Sequence, residues 1–341
     1  MLTSHKWVMT IFRGAHMKNK YKSIILLMGL LAVTSCNKNP ASTSNSSSTS
    51  NSSSGNTEVE VNKSITVMSC NLDQGHQNNN YYHELVKDQI ISVMPDLLGV
   101  QEEGEGWTLA LESSLEEYGY KHIYQSRGGS FPEASGIFIK LDRFIIKESG
   151  TFWFGDDENA SSGYIASEWG ASFPRVCSWA LLTDRYTNKD ISYFNAHLEY
   201  NHAYGNMNGE ATETNNTKLC RKNSCLQVIN NMKKLNVPGF FTGDLNYWRE
   251  EENETYQACL EYFDDSWASY KDSQKMCTFH NYGKELDEST REHPYSPIDY
   301  IFSTKDKFEI NNFIIMNNEG NKESDFASDH FFVHANFSYK E

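Results

Sequence analysis

Short apolar segments with the composition of β-strands recur along this 341-residue chain and outnumber the segments with helical spacing. Helical spacing occurs near residues 79–93, 107–118 and 217–235. One strand–helix–strand unit opens the series, whereas later strands follow one another with only loops between them. This order predicts packed β-sheets with helices outside. The strand-like segments are SITVMSCNL, DLLGVQE, YKHIYQS, GIFIKL, VCSWALLT, ISYFNAHL, PGFFTGDL, PIDYIFS, NNFIIMN and FFVHANFS.

The N-terminal region has the pattern of a secretory signal. Several lysines precede the apolar run SIILLMGLLAV, which is shorter than the roughly 20 residues of a membrane-spanning helix. The sequence VTSC then resembles a bacterial lipobox. We therefore expect residues 1–35 to be a lipoprotein signal peptide, with the translation start at Met17 and a lipid on Cys36. The protein is then an extracytoplasmic lipoprotein that contacts the membrane through its lipid anchor only.

The remaining chain divides into a tether and one domain. Residues 36–62 are rich in Ser, Asn and Thr and have little to bury, which predicts a flexible tether. Residues 63–341 contain no second linker and no internal repeat, and we expect a single monomeric domain. Without residues 1–35 the chain carries 25 basic and 45 acidic side chains, a net charge of −20. This charge disfavours unspecific adhesion to nucleic acid or anionic membranes.

Polar side chains recur where the strand-like segments end or begin. Each alone has an ordinary interpretation, because Asn and Asp are common turn formers and a single His is usually structural. If neighbouring strands run in the same direction, however, their ends share one sheet edge and build a cleft. A carboxylate inside PIDYIFS must also find a partner if it is buried. The residues in question are Asn71, Glu102, His197, Asp244, Asn246, Asp299, Asp329 and His330.

These residue types favour metal-assisted chemistry on phosphate. The sequence contains no HExxH, no P-loop, no GxSxG and no CxxC pair. The candidate groups are mostly carboxylates and amides, whose hard oxygens select Mg²⁺, Mn²⁺ or Ca²⁺ over zinc or copper. A magnesium ion held by one or two carboxylates keeps positions open for water and phosphate. Phosphoryl transfer is therefore the expected reaction.

Six motifs in a fixed order resemble those of the endonuclease/exonuclease/phosphatase superfamily. They are MSCNLD, PDLLGVQEE, NAHLEY, GDLN, IDYIF and SDH, and the resemblance covers residues 65 to about 338. It implies the deoxyribonuclease I-like fold, a four-layer α/β/β/α sandwich of two packed mixed sheets with helices outside. It also implies a Mg²⁺-dependent phosphoric ester hydrolase, with Mn²⁺ or Ca²⁺ as alternative ions.

The resemblance also assigns roles by position. Glu102 is implied as the principal metal ligand, and Asn71 holds a neighbouring oxygen or bonds to that carboxylate. Asp244 orients and deprotonates the attacking water, and Gly243 lets the chain turn close to the phosphate. The other implied roles are phosphate binding or support of Asp244 by Asn246, donation to a phosphate oxygen by His197, fixation of the His330 tautomer by Asp299, and a place near the metal for Asp329.

Three further positions depart from the pattern or admit two interpretations. Asp73 resembles a second metal-site carboxylate that only some branches of the family have, so it ranks below Glu102. Arg175 in FPRVCSWALL is a candidate phosphate clamp, and a surface ion pair is an equal alternative. Arg221 is a candidate substrate-binding residue that alternatively supports a loop.

Two classes of function remain open at this level. The favoured one is a phosphoesterase whose substrate is a nucleic acid, a sugar phosphate or a phospholipid headgroup. A nuclease needs a long groove edged by basic and aromatic residues, whereas a sugar or lipid phosphatase needs a compact pocket. The alternative class is a non-catalytic binding lipoprotein on the cell surface.

Overall fold

A computed structural model of the protein describes residues 64–130, 132–157, 159–200, 215–284, 295–317, 320 and 322–341, without the side chains of residues 215 and 216. The expected signal peptide at residues 1–35, the lipidation site Cys36, the whole tether at 36–62 and its boundary with the domain lie outside the described residues. No helix in the described ranges is long and apolar enough to cross a membrane.

The described residues form twelve β-strands arranged in two six-stranded sheets. All ten segments that the sequence predicts as strands contain one. The strands are β1 (Ile65–Asn71), β2 (Leu97–Gln101), β3 (Tyr120–Ile123), β4 (Ile137–Lys140), β5 (Phe144–Trp153), β6 (Val176–Asp184), β7 (Asp190–His197), β8 (Gly239–Asp244), β9 (Phe263–Asp265), β10 (Asp299–Thr304), β11 (Phe308–Ile315) and β12 (Val333–Tyr339).

The two sheets repeat one topology. The first has the strand order β11-β12-β1-β2-β4-β3, and the second has the order β5-β6-β7-β8-β10-β9. In each sheet the two central strands are parallel and all other neighbours are antiparallel. Parallel neighbours end at the same edge of a sheet. The C-terminal ends of β1 and β2 therefore lie together at one edge of the first sheet. Those of β7 and β8 lie together at one edge of the second sheet.

Helices cover the outer face of each sheet. The first three lie where the sequence predicts them, and α1 is capped by the Asn79 side chain, which accepts a hydrogen bond from the Tyr81 amide at 3.1 Å. The sequence did not reveal the two short ones that follow β8. The helices are α1 (Asn80–Val93), α2 (Glu105–Leu115), α3 (Asn215–Leu235), α4 (Asn253–Leu260) and α5 (Ser266–Ser269).

Three hydrophobic clusters hold four layers together. Residues such as Val67, Tyr193 and Phe240 fill the space between the sheets. α1 and α2 pack on the first sheet through residues such as Val86 and Trp107. α3 and α4 pack on the second sheet in a third cluster. The layers are thus α/β/β/α, and the predicted four-layer fold is confirmed.

Two strands of the structure, β5 and β9, lack the strand pattern in the sequence and were not predicted. β5 lies at a sheet edge, carries Lys, Glu, Ser and Gly in its centre, and is largely exposed there. A bulge between Ile146 and Glu148 also breaks its alternation. β9 has only three residues. Edge position and short length remove the period-2 signal by which a strand is recognised.

A buried asparagine connects the two sheets. Asn195 of β7 donates from Nδ2 to the carbonyl oxygens of Val100 in β2 at 2.8 Å and of Gly136, directly before β4, at 2.9 Å. Its Oδ1 accepts from Gln101 Nε2 at 2.7 Å and from Thr242 Oγ1 at 3.0 Å. All four hydrogen-bonding positions of this fully buried amide are therefore used.

Gly99 makes room for this amide. A Cβ atom on Gly99 would lie 2.3 Å from Asn195 Oδ1 and 2.4 Å from Thr242 Oγ1. Any larger residue in the centre of β2 would therefore push the asparagine out of the gap. The glycine in LLGVQ is required by the contact between the sheets.

We expect Asn195→Ala to lower the free energy of unfolding by about 2–4 kcal/mol, because buried partners on both sheets lose their hydrogen bonds. Urea unfolding followed by tryptophan fluorescence measures this change. Asn311→Ala is the matched control, because the Asn311 amide is also hydrogen-bonded but lies exposed on β11. Equal destabilisation by the two substitutions would contradict the role of Asn195.

Candidate active site

Strand alternation directs the candidate residues to the gap between the sheets. Side chains of odd number in β1, β7 and β10, and of even number in β8, face the other sheet, as Val67, Tyr193, Ile301 and Phe240 do. Four candidate residues lie at strand ends and face inward by the same rule: Asn71, His197, Asp244 and Asp299. At this point β8 is paired with both β7 and β10. The site therefore lies at the mouth of the gap.

Glu102 reaches the same mouth by a break in alternation. It follows β2, where continued alternation would turn its side chain toward the helices. Its φ of 56° places it instead in the left-handed region, which non-glycine residues adopt rarely. Glu102 Oε1 then lies 3.3 Å from Asn71 Nδ2, and Oε2 accepts from the Gln74 amide at 2.9 Å.

Asp244 is the centre of the site. It is 1% exposed, and its Oδ2 accepts from Asn71 Nδ2 at 3.0 Å while its Oδ1 accepts from the Asn246 amide at 2.9 Å. Two imidazole nitrogens flank Oδ2, His197 Nε2 at 3.6 Å and His330 Nε2 at 3.7 Å. Asn71 thus connects this carboxylate to Glu102, and side chains from both sheets meet around one oxygen atom.

His330 forms a buried pair with Asp299. Its Nδ1 donates to Asp299 Oδ2 at 2.8 Å, and its main-chain amide lies 3.2 Å from Ser328 Oγ. Burial by itself lowers the pKa of a histidine, but the charges of Asp299, Asp244 and Asp329 outweigh it and raise the pKa of His330 well above its usual value. These negative charges therefore favour the protonated imidazole, with Nε2 facing Asp244.

His197 has the opposite electrostatic setting. Burial and the nearby charge of Arg175 lower the pKa of His197 to about 4, against the opposing effect of Asp244. Its Nε2 lies 2.9 Å from Asn246 Nδ2, and its Nδ1 lies 3.3 Å from Glu133 Oε1. In this arrangement Nε2 accepts from Asn246, whereas donation to a phosphate oxygen requires a proton on Nε2. That role of His197 stays a prediction.

Asp329 feels the charges of two other carboxylates, Glu102 and Asp73. Burial and the negative charges of Glu102 and Asp73 raise the pKa of Asp329 to about 7, although the charge of His330 opposes them. Asp329 Oδ1 accepts from Ser328 Oγ at 3.2 Å. Mutual repulsion of this kind is relieved when a cation binds between the carboxylates.

Asp73 is held by a strained loop. Its Oδ1 accepts from the Gly75 amide at 2.7 Å, and its Oδ2 lies 2.7 Å from His76 Nδ1 and accepts from the Tyr282 hydroxyl. Tyr282 and its neighbour Asn281 have φ values of 54° and 47°. A left-handed tyrosine is unfavourable, and such strain is concentrated at functional sites.

Two arginines stand beside His197. Arg127 Nη1 lies 2.5 Å from Glu133 Oε1, and Arg175 lies 3.8 Å from both Glu133 Oε1 and Glu199 Oε2. At 3.8 Å these contacts are too long for hydrogen bonds, and Nε and Nη1 of Arg175 have no hydrogen-bond partner within the described chain. Arg175 thus lies between two carboxylates, as the ion-pair alternative expects, and its role as a phosphate clamp stays a prediction.

Arg221 lies apart from this group. It is fully buried in α3, forms an ion pair with Glu252, and donates from Nη1 to the Glu199 carbonyl oxygen at 3.0 Å. This position favours the alternative that Arg221 supports the loop after β7 over direct substrate contact.

Gly243 has a different function from the expected one. It lies inside β8, paired with Ala196 and Tyr300, and not at a turn. A Cβ atom there would lie 2.1 Å from the Ala196 carbonyl oxygen. The expectation of a turn beside the phosphate is wrong, because this glycine permits the close pairing of β7 and β8.

Sequence reasoning missed several members of the site. Glu133 follows no recognised strand, and Tyr282 and His76 lie in loops far apart in sequence. Glu199 lies two residues after His197 in NAHLEY, and its charge so close to that histidine could have identified it as a site residue. Contacts of this kind arise from loops that meet only in the folded chain.

Solved structures share this architecture, although no protein-family model and no curated protein matches the sequence. An endonuclease/exonuclease/phosphatase from Bacteroides vulgatus has a TM-score of 0.66 and 22% identity, covering 81% of this chain and 99% of that chain. The Bacteroides thetaiotaomicron mannosyl-6-phosphatase has a TM-score of 0.60 and 24% identity, covering 80% of this chain and 99% of that chain. D. rerio TDP2 with a single-strand DNA product has a TM-score of 0.60 and 15% identity, covering 81% of this chain and 99% of that chain.

This chain has the deoxyribonuclease I-like fold. The neighbours are endonuclease/exonuclease/phosphatase proteins, in agreement with the motif resemblance, and the coverage spans nearly their whole length. At a sequence identity below 25%, structural similarity supports the same fold but not the same substrate, because one fold supports many reactions. The function must therefore be argued from the site.

We expect Asp299→Asn to lower the pKa of His330 by about 1–3 pH units. The substitution removes one negative charge that raises this pKa, whereas burial continues to lower it. An NMR titration of the histidine Cε1 protons in metal-free protein measures it. Asp190→Asn, at an exposed pair with Lys147, is the control. An unchanged His330 titration in the Asp299 variant would contradict the electrostatic assignment.

Proposed function

We propose that this chain is a divalent-metal-dependent phosphoesterase that hydrolyses a phosphodiester or phosphomonoester by in-line attack of water. The proposal rests on the residues that surround Asp244. A buried carboxylate has one oxygen within 3.7 Å of two imidazoles and is oriented by Asn71 and the Asn246 amide. A binding protein has no need for a carboxylate fixed in this manner.

Asp244 is the proposed base. Hydrogen bonds from Asn71 and Asn246 fix its two oxygens, so that the remaining lone pairs can accept the proton of an attacking water. As the water oxygen bonds to phosphorus, its proton passes to Asp244 and the bond from phosphorus to the leaving oxygen breaks. Asn246 keeps the carboxylate in place during this transfer.

His330 is the proposed electrostatic partner. Its Nδ1–H is committed to Asp299, so Nε2–H remains to donate to a phosphoryl oxygen. The raised pKa of His330 keeps this donor charged when negative charge develops on phosphate. The hydrogen bond to Asp299 thus holds His330 in one orientation, with Nε2 directed into the site.

The residues near Glu102 fit a hard divalent cation. The negative charges of Glu102 and Asp73 act on Asp329, and oxygen donors of this kind suit Mg²⁺, Mn²⁺ or Ca²⁺. We propose Glu102 as the principal ligand, with Asn71, Asp329 and Asp73 around it. When bound, such an ion neutralises charge on phosphate oxygens. The trio Asp244, Asp299 and His330 also clusters within 4.8 Å, but the protonated imidazole that its surroundings favour has no nitrogen lone pair for a metal ion.

For the substrate, we propose a compact phosphate ester in preference to a long nucleic acid. The net charge of −20 outside residues 1–35 opposes unspecific binding of a polyanion. Among the structural neighbours, one is a mannosyl-6-phosphatase, which supports a sugar phosphate as a member of this class. Arg175, with two unused donors beside His197, is the proposed phosphate clamp.

We expect Asp244→Asn to reduce turnover about 10²–10⁴-fold and His330→Ala about 10²–10³-fold, because each removes one element of proton transfer or charge stabilisation. The assay is release of phosphate or product from inositol phosphates, phosphorylated sugars, sphingomyelin, RNA and DNA with Mg²⁺. EDTA is expected to abolish turnover and added Mg²⁺ to restore it.

Asp190→Asn serves as the control, because this exposed carboxylate lies outside the site. Thermal unfolding of each variant tests whether the fold persists. Full activity in both site variants, or in EDTA, would reject the proposed mechanism.

We also propose that the enzyme is an extracytoplasmic lipoprotein held on the membrane by a lipid on Cys36. The support is the sequence alone, a basic segment and a short apolar run followed by VTSC. In this arrangement the Ser-, Asn- and Thr-rich residues 37–62 let the domain reach substrates near the membrane surface.

We expect mass spectrometry of the membrane fraction to find a mature N-terminus at Cys36 with an added lipid mass. Cys36→Ala should block this processing and leave the precursor uncleaved. Cys70, a buried cysteine of β1, provides the control, because it should carry no lipid in either protein. An unmodified mature chain that starts elsewhere would exclude the lipid anchor.

A further inference from the structure

A cavity lies between α3 and the chain that follows β5. Its volume is about 700 Å³, within the range of about 300–1,000 Å³ that is usual for small-molecule sites. None of its lining residues belongs to the candidate active site, and it is therefore a separate feature of the fold.

One wall of the cavity is an amide-rich face of α3. Asn223, Gln227, Asn230 and Asn231 are spaced so that they share one side of the helix. Gln227 Oε1 accepts from the Gly155 amide at 3.2 Å, and Asn231 Oδ1 accepts from a lysine Nζ at 3.3 Å. These two bonds orient both side chains and leave their NH₂ groups as donors.

The cavity also contains polar groups without protein partners. In the described part of the chain, the side chains of Asn223, Asn230 and Asp156 make no hydrogen bond to protein, with Asn223 half-buried and the other two exposed at the cavity mouth. Trp169 is 8% exposed as a residue, and its indole N–H makes no hydrogen bond within the described chain but is not itself buried. The lining therefore offers amide donors and acceptors, a carboxylate and an indole donor to a ligand.

The chemistry of the lining selects the class of ligand. Asp156 and Asp157 oppose an anion, since Lys234 is the one cationic side chain among the lining residues. The amides oppose a purely apolar molecule, because their desolvation would go uncompensated. A sugar satisfies both conditions, since each hydroxyl donates and accepts. Phe152 and Leu226 supply apolar surface for its C–H groups.

We propose that this cavity is a binding site for a neutral sugar residue. The proposal does not rest on the phosphoesterase activity, because the two sites share no residue. They are nevertheless connected, since Trp153 lines the cavity and donates from its indole to the Arg127 carbonyl oxygen at 3.0 Å. A glycan held there lies behind the arginine–glutamate cluster beside His197.

Saturation-transfer NMR on the whole domain tests the proposal, with the methyl glycosides of glucose, galactose, mannose and N-acetylglucosamine as probes. At least one glycoside is expected to bind with a dissociation constant of about 1 mM, as suits a ligand of about a dozen non-hydrogen atoms. The double substitution of Asn223→Ala and Asn230→Ala should weaken binding about tenfold. Trp169→Phe, which keeps a ring and removes the N–H, should also weaken it.

Gln257→Ala is the matched control, because Gln257 is an exposed helical amide on α4 outside the cavity. The asparagine variants are expected to fold normally, since both side chains lack protein partners, and they decide the question if Trp169→Phe does not fold. Hydrolysis of a small phosphate ester should be unchanged in the asparagine variants. Absence of saturation transfer from all four glycosides, or unchanged affinity in the double variant, would overturn the proposal.

Discussion

The buried amide of Asn195 fixes how the two sheets face each other, and the candidate site depends on that alignment. Asn71 comes from the first sheet and Asp244 from the second, yet they meet at 3.0 Å. A shift of one residue in either strand would turn these side chains away from the gap. Apolar packing alone tolerates such sliding, whereas hydrogen bonds from Asn195 to the carbonyl oxygens of Val100 and Gly136 do not.

Charge placement then gives two similar histidines different properties. Both Nε2 atoms lie within 3.7 Å of Asp244 Oδ2, and both Nδ1 atoms face a carboxylate. The carboxylate beside His330 is not paired with an arginine in the described structure, whereas Glu133 beside His197 is shared by Arg127 and Arg175. The surrounding charges therefore raise the pKa of His330, whereas burial and the arginines lower the pKa of His197. Such divergence separates a charged donor from a neutral neighbour in one site.

The sequence predicted the central strands and the residues at their ends, because both follow from local patterns. Period-2 alternation marks buried strands, and a polar residue directly after an apolar run marks the strand end. The same reasoning failed where position is set by distant contacts. The edge strand β5 has no need for alternation, and Gly243 is required by the carbonyl of Ala196 on a neighbouring strand. Glu133 reaches His197 from a loop, which no local pattern predicts.

The balance of charge around the phosphate-facing residues bears on what the site can accept. Arg127 and Arg175 contribute two positive charges beside His197, and Glu133 and Glu199 contribute two negative ones. This cluster is neutral as a whole and provides no cationic track for a nucleic-acid backbone. In the proposed mechanism, binding of phosphate depends on directed donors, such as His330 Nε2 and the two nitrogens of Arg175 without hydrogen-bond partners, together with the proposed cation near Glu102. Directed donors at one point suit a single phosphate group on a small molecule better than a polymer.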